Sequence, residues 1–108
     1  MSNPTDAATF GLSHAILQQL CAEFARTPAI LRVLVFGSRA KGNYRPGSDI
    51  DIALMAPKLT AAQLGELENR LDDLLLPYQI DLCHFDTLQN PALIDHIQRV
   101  GQPIFPRP

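Results

Sequence analysis

Apolar residues recur with helical spacing near both ends of the chain. The first set lies four residues apart and predicts a helix that Pro28 ends: Leu12, Ile16, Leu20 and Phe24. Near the other end, Asn90 suits a helix cap, Pro91 suits the first helical position, and Gly101 suits a stop. The apolar side between them is Leu93, Ile94, Ile97 and Val100. Both segments are therefore predicted to be amphipathic helices.

A further helical pattern follows Thr60 in the middle of the chain. Thr60 and Gln63 have the spacing of a capping box, in which each side chain bonds the other residue's backbone N–H. Leucines then recur with helical spacing until Pro77 ends the pattern. Glu66 and Arg70 are one helical turn apart, so we expect an ion pair on the exposed side of this helix.

Short apolar runs predict the strands of a sheet. They cover residues 31–36, 50–55 and 78–85, and Ile104 and Phe105 predict a short edge strand between prolines. Together with the helices, this order predicts one α/β or α+β domain over residues 1–108, with a small mixed sheet covered by helices. Residues 1–9 are small and polar, and we expect them to form a flexible end.

Composition and charge narrow the class of protein. The 108 residues are 46% hydrophobic and 19% charged, which is typical of a globular domain rather than a disordered chain. A net charge of -2 argues against duplex DNA or RNA as an obligatory partner, although a nucleotide needs only a local basic patch. We expect no membrane span and no signal peptide. Cys21 and Cys83 fit reduced thiols, so a cytoplasmic protein is expected.

Three acids interrupt otherwise apolar strands. Asp49 and Asp51 lie on one face of their strand and Ile50 and Ile52 on the other, because strand side chains alternate. Asp81 lies in the next strand and can join the other two acids if the strands are neighbours. Close carboxylates repel one another unless a cation lies among them, and hard oxygen ligands suit Mg²⁺. The three acids therefore predict a Mg²⁺ site.

A glycine-containing turn after the first strand is a candidate phosphate site. Gly37 and Ser38 allow a sharp turn, and a helix that begins at Ser38 would direct its positive end towards a phosphate. Arg39, Lys41 and Arg45 add positive charge nearby. Each feature alone has an ordinary explanation as a tight turn or a solvated charge. Phosphate on one side and metal on the other is, however, what phosphoryl or nucleotidyl transfer requires.

The spacing of these features is similar to a known signature. Gly37-Ser38, ten intervening residues and Asp49-Ile50-Asp51 resemble the Gly-Ser-x₁₀-Asp-x-Asp signature of the polymerase-beta-type nucleotidyltransferase superfamily. GSRAKG is similar to the family's Gly-Ser-x-Ala-Arg/Lys-Gly, and SDIDIAL to its Ser-Asp-x-Asp-Leu strand. The third acid, in YQIDLCHFD, stands where the family has its third carboxylate. The small size resembles the minimal nucleotidyltransferases, many of which are antitoxins encoded beside a helical HEPN-type toxin ribonuclease.

This resemblance implies an Mg²⁺-dependent transfer of AMP from ATP to a tyrosine of such a toxin. It implies that two Mg²⁺ ions are held by Asp49, Asp51 and Asp81. Asp81 would also help to activate the attacking hydroxyl. The nucleotide-binding residues by the same resemblance are Gly37, Ser38, Arg39 and Ser48. Lys41 stands where many relatives have Arg, so we assign it no catalytic role.

Two alternatives use the same fold. One is a non-catalytic antitoxin or regulatory subunit that acts by contact. The three clustered acids argue against it, because their mutual repulsion would lower stability in the absence of a metal. The other is a small-molecule nucleotidyltransferase, which a second, substrate-holding domain would favour.

The histidines and the loop tyrosine are not expected in the site. His84 shares the face of Ile80 and Leu82, so it is expected in the core or at an edge. His14 and His96 lie on predicted helices without a ligand partner at useful spacing. Tyr44 could stack on a base or accept AMP, but an ordinary loop aromatic is the simpler interpretation.

Overall fold

Among the residues that the structure describes, a single four-stranded mixed sheet organises the fold. The computed structural model describes residues 9–106. Its strands are β1 (Arg32–Phe36), β2 (Ile50–Met55), β3 (Ile80–His84) and β4 (Gln102–Phe105), in the order β3-β2-β1-β4. Strand β1 is antiparallel to both β2 and β4, whereas β2 and β3 are parallel. The mixed sheet and the predicted edge strand near Ile104 are thus confirmed.

Within the described residues, one helix precedes β1 and three connect the strands, and local capping defines where three of the four begin. They are α1 (His14–Ala25), α2 (Gly37–Lys41), α3 (Ala61–Asp73) and α4 (Pro91–Val100). Ser13 accepts a hydrogen bond from the Ile16 N–H, and Asn90 caps α4 in the same way. Thr60 and Gln63 form the predicted capping box. Short 3-10 turns occupy Thr9–Gly11 and Phe85–Thr87. The flexible end predicted for residues 1–9 lies, apart from Thr9, outside the described residues.

The larger core lies between one face of the sheet and helices α1 and α3. The β2 side chains that point to this face are fully buried: Ile50, Ile52 and Leu54. Leu20 and Phe24 of α1 and Leu67 of α3 are also fully buried there. Burying one such side chain stabilises the fold by about 1.5–3 kcal/mol, so this face holds most of the apolar free energy. We call it the covered face.

The opposite face of the sheet is covered only in part. Ile97 of α4 packs on Leu34 and Ala53 there and is fully buried. Beyond this contact, Asp51 is half-buried and Asp81 is exposed. We call this the open face, and its acidic end is where the predicted site residues meet.

The prediction of an ion pair between Glu66 and Arg70 is wrong. Arg70 instead donates to the Glu23 carboxylate at 3.0 Å and to the Thr27 hydroxyl at 2.6 Å. Helices α1 and α3 pack side by side, and Arg70 lies half-buried on the side of α3 that meets α1. A buried partner on another element replaces the local one because it is shielded from water.

Candidate active site

The sheet brings the three predicted acids together. Asp51 and Asp81 are register partners in the parallel pair β2–β3, and Asp49 lies one residue before β2. Strand alternation directs Asp51 and Asp81 to the open face. Gln79, two residues before Asp81 on the same side, donates its amide N–H to the Asp81 carboxylate at 3.3 Å. Sequence reasoning did not single out Gln79, although its two-residue spacing from Asp81 was a usable signal.

The three carboxylates repel one another. The pKa of Asp51 is raised above its usual range, first by burial of the carboxyl and then by the negative charges of Asp81 and Asp49. His96 acts on the pKa of Asp51 in the opposite direction. The charged form of Asp51 is thus disfavoured in the protein alone. A cation placed among the acids would relieve this repulsion.

Gly37 joins the turn after β1 to the acids. Its φ is +71°, a left-handed conformation that suits glycine. A Cβ atom at this position would overlap the Asp51 carboxylate. Gly37 is the first residue of α2, and the Gly42 N–H closes this short helix on the Ser38 carbonyl at 2.9 Å. The absence of a side chain at Gly37 therefore lets the start of α2 lie directly against Asp51.

Ser38 follows Gly37 and is half-buried at the second position of α2. Within residues 9–106 its hydroxyl has no hydrogen-bond partner. A short helix does follow the turn, but it begins at Gly37 rather than at Ser38. The hydroxyl is thus available to a ligand beside Asp51.

Arg39 has a different environment from the one its predicted nucleotide contact requires. The residue is 2% exposed, and its guanidinium donates to the Phe10 carbonyl at 2.8 Å and to the Ser48 carbonyl at 2.8 and 3.2 Å. It also lies over the rings of Tyr78 and Tyr44, at 4.7 and 5.1 Å from their centroids. Arg39 therefore supports the loop from beneath, with its fork of donors directed at backbone carbonyls.

Ser48 fixes the end of that loop. Its hydroxyl accepts the Arg45 N–H at 2.8 Å, and its own N–H donates to the Arg45 carbonyl at 3.0 Å. Together with the bonds from Arg39, these contacts determine where the next residue, Asp49, enters β2. Lys41 and Arg45 are exposed on the loop surface. The structure thus brings Gly37, with Ser38 next to it in the chain, against Asp51. Arg39 and Ser48 make contacts that hold the loop, and their nucleotide contacts stay a prediction.

Two histidines differ in their relation to the site. His84 lies on the edge strand β3, as expected, and its ring is 2.7 Å from the Ala56 carbonyl. His96, on α4, packs edge-on against Phe36, whose register partner on β2 is Asp51. The sequence did not indicate a role for His96, because it lies on a predicted helix without a ligand partner at useful spacing. Only the packing of α4 on the sheet reveals this neighbourhood.

A preformed metal cage is not present in the described part of the chain. Among residues 9–106, no group of three or more His, Cys, Asp or Glu side chains is arranged to hold a metal ion. The donor set nevertheless suits Mg²⁺ chemically, because carboxylate oxygens are its preferred protein ligands and it keeps several waters or substrate oxygens in its shell. The Mg²⁺ site remains a prediction.

A cavity of about 370 Å³ lies where α3 meets the start of β3. Its lining includes Leu71, Leu75, Tyr78 and the polar side chains of Asp72 and Gln79. Gln79 also donates to the Asp81 carboxylate, so this mixed cavity adjoins the acidic site through Gln79.

Comparison with known proteins agrees with this geometry. The family model of the polymerase beta nucleotidyltransferases matches residues 18–108. A crystal structure of a toxin–antitoxin with AMP-PNP superposes with a TM-score of 0.68 at 23% identity, over 82% of this chain and 72% of that chain. Two mutants of the toxin–antitoxin MntA-HpeT superpose with TM-scores of 0.65 and 0.63, at 20% and 25% identity, over 82% and 85% of this chain and 71% of each of theirs. No curated protein matches the sequence.

Within the described residues, no helix is both long enough and apolar enough to cross a membrane.

Proposed function

Because the chain belongs to the polymerase beta nucleotidyltransferase family, we propose that it transfers AMP from ATP to a hydroxyl of a partner protein and thereby acts as an antitoxin. The observation that carries this proposal is the contact between the turn at Gly37, where phosphate would bind, and the acids, where metal would bind. Gly37, at the start of α2, lies against Asp51, which is the register partner of Asp81. A nucleotide at the turn would therefore have its phosphates beside the acids.

The acids are the proposed metal ligands. Asp49, Asp51 and Asp81 would hold two Mg²⁺ ions, which would neutralise the charge that develops on the phosphates during transfer. The raised pKa of Asp51 supports this assignment, because burial and like charges make an anion there costly without a cation. Asp81, which is exposed, also accepts the proton of the attacking hydroxyl.

The turn is the proposed nucleotide-binding element. The Gly37 backbone and the Ser38 hydroxyl bind the triphosphate, which is supported by the missing side chain at Gly37 and the unbonded hydroxyl of Ser38. Arg39 and Ser48 contribute by holding the loop that leads to Asp49. Charge-assisted hydrogen bonds from such a turn would be about twice as strong as neutral ones.

The proposed acceptor is a protein. The neighbours in fold are toxin–antitoxin structures, one of them with AMP-PNP, and this supports a toxin partner and an adenine nucleotide. We propose a tyrosine of a helical HEPN-type toxin as the acceptor, and the cytoplasm as the compartment. A hydroxyl that attacks the α-phosphate of ATP forms the new phosphodiester and releases pyrophosphate, with its proton passing to Asp81.

Mass spectrometry of the proposed toxin partner tests the proposal. Incubated with the wild-type protein, ATP and Mg²⁺, the toxin should gain one or more AMP units. The double variant Asp49→Asn/Asp51→Asn should bind the toxin and add nothing, while its far-UV circular dichroism stays unchanged.

The non-catalytic alternative uses the same fold and acts on the toxin by contact alone. It predicts that the double variant inhibits the unmodified toxin fully at a stoichiometric ratio. That result, with no mass change produced by the wild type, would replace transfer by inhibition through contact. Transfer of AMP to a small molecule alone would instead support the third function, a small-molecule nucleotidyltransferase.

A further inference from the structure

His96 lies where α4 meets the open face of the sheet. The residue is half-buried, and its ring packs edge-on against Phe36 with the centroids 6.2 Å apart and the planes at 81°. Phe36 is the register partner of Asp51, and directly opposed residues in an antiparallel pair have Cβ atoms about 4.5–5.5 Å apart on one face. The imidazole thus contacts Phe36, and Phe36 is the direct cross-strand neighbour of Asp51.

The same contact places His96 beside the turn. Phe36 immediately precedes Gly37, and helix α4 packs against α2, which Gly37 begins. The part of α4 that holds His96 therefore borders both the Gly37 turn and the strand that carries Asp51. The influence of His96 on the pKa of Asp51 agrees with this short separation.

The two ring nitrogens of His96 have no hydrogen-bond partner within residues 9–106. The ring of His84, by contrast, is bonded to the Ala56 carbonyl, and it also lies 3.9 Å from Asp86. No buried side-chain nitrogen or oxygen of the described residues lacks a partner, so the His96 nitrogens are accessible to solvent. His96 therefore combines a ring fixed by packing with an unused donor.

We propose that His96 is a further substrate-binding residue, whose imidazole N–H donates a hydrogen bond to a phosphate of the bound nucleotide. This inference rests on the proposed function and deepens it, because it adds α4 to the turn and the acids as a third element that contacts the nucleotide. The turn supplies donors from one side and the acids supply only acceptors from the other. A donor on α4 complements the anionic phosphates where the acids cannot. A neutral imidazole retains one N–H, so the contact needs no change of charge.

Matched substitutions at position 96 separate this contact from simple packing. His96→Phe keeps an aromatic ring against Phe36 and removes the donor, whereas His96→Asn keeps an N–H donor on a shorter side chain. We expect the dissociation constant for ATP with Mg²⁺, measured by calorimetry, to rise about tenfold or more in His96→Phe, as for the loss of a hydrogen bond to a charged group. His96→Asn should restore part of the affinity. The control His14→Phe, on exposed α1 surface, should bind ATP like the wild type.

Kinetics and melting add readouts that packing alone would not produce. In the transfer assay, His96→Phe should raise the KM for ATP and leave kcat within about twofold, with the melting temperature unchanged. Wild-type affinity in both His96→Phe and His96→Asn overturns the role of His96 and leaves the proposed function intact. If the wild-type protein itself does not bind ATP with Mg²⁺, both the proposed function and this inference fail. Should His96→Phe lower the melting temperature, His96→Ala and His96→Asn are compared by the same criteria.

Discussion

The two faces of strand β2 perform opposite tasks with alternating residues of one segment. On the covered face, Ile50, Ile52 and Leu54 are fully buried under α1 and α3. On the open face, Asp51 is half-buried beside Asp81, and α4 covers the part around Leu34 and Ala53 and reaches Phe36 through His96. The comparison shows how a chain of this size can place unfavourable acids in a sheet. The covered face supplies the stability, and the open face can therefore carry charges that lower it.

This division also explains why the acids lie at the end of their strands. The partly covered open face leaves Asp81 exposed and Asp51 only half-buried, so neither carboxylate suffers the full cost of desolvation. The Gly37 backbone approaches Asp51 there because it lacks a side chain. Substitutions on the two faces test whether stability and chemistry are separated in this way.

The largest effect is expected on the covered face. Ile52→Ala should lower the free energy of unfolding by about 2–5 kcal/mol, because it removes fully buried methyl groups and leaves a cavity. Leu31→Ala is the control, since Leu31 is 64% exposed and its loss should stay within about 0.5 kcal/mol. Urea unfolding of both variants measures the difference. Equal effects at the two positions would show that the covered face is not the main source of stability.

The support beneath the loop gives the next largest effect. Arg39→Lys keeps the charge but replaces a planar fork that bonds two carbonyls with a single ammonium group. We expect a loss of about 1.5–3 kcal/mol, the range for hydrogen bonds to charged groups. The exposed Arg45→Lys is the matched control and should be close to neutral. A stable Arg39→Lys that binds ATP poorly would instead support the direct nucleotide contact expected from the sequence.

Gly37→Ala should lower both the stability of the fold and the binding of ATP. A residue with a Cβ in a left-handed conformation costs about 1–2 kcal/mol, and at Gly37 the new atom also displaces the Asp51 carboxylate. Gly47→Ala is a matched control: its φ is +82°, but nothing lies within 4 Å of its Cβ position. We expect Gly37→Ala to lose more stability than Gly47→Ala and to lose ATP binding as well.

The stability that Gly37→Ala loses beyond the loss in Gly47→Ala should depend on Asp51. In the Asp51→Ala background, which removes the displaced carboxylate, Gly37→Ala should cost about as much as Gly47→Ala. An undiminished excess in that background would mean that the contact with Asp51 is not what requires glycine.

Local patterns explain which parts of the fold and site were predictable. The capping box at Thr60, the cap at Asn90 and the alternation around Asp51 depend on residues within a few positions of one another, and all are observed. The sequence left open whether the strands of Asp51 and Asp81 are neighbours, and the structure shows that the two acids are register partners.

Features that join distant segments were not predictable from spacing. Arg39 bonds the carbonyl of Phe10 and contacts Tyr78, two residues that only the folded chain brings together. Arg70 likewise prefers Glu23 on another helix, and His96 reaches the open face only because α4 packs there. In each case the packing of elements, rather than a periodic pattern, selects the partner.

The smallest expected effect has the opposite sign. The pKa of Asp51 is raised by burial, Asp81 and Asp49, so its ionisation destabilises the folded state once the pH exceeds the usual carboxyl range. Asp51→Asn should therefore raise the free energy of unfolding of the metal-free protein at neutral pH, by about 0.2–1 kcal/mol, the range for cross-strand pairs. The gain should disappear as the pH falls below the ordinary value of 3.8, where wild-type Asp51 is protonated in both states. Thermal unfolding in EDTA at several pH values measures it, with the exposed Glu68→Gln as a control that should show no such trend. A loss of stability in Asp51→Asn at neutral pH would mean that the open face, like the covered one, was built for stability.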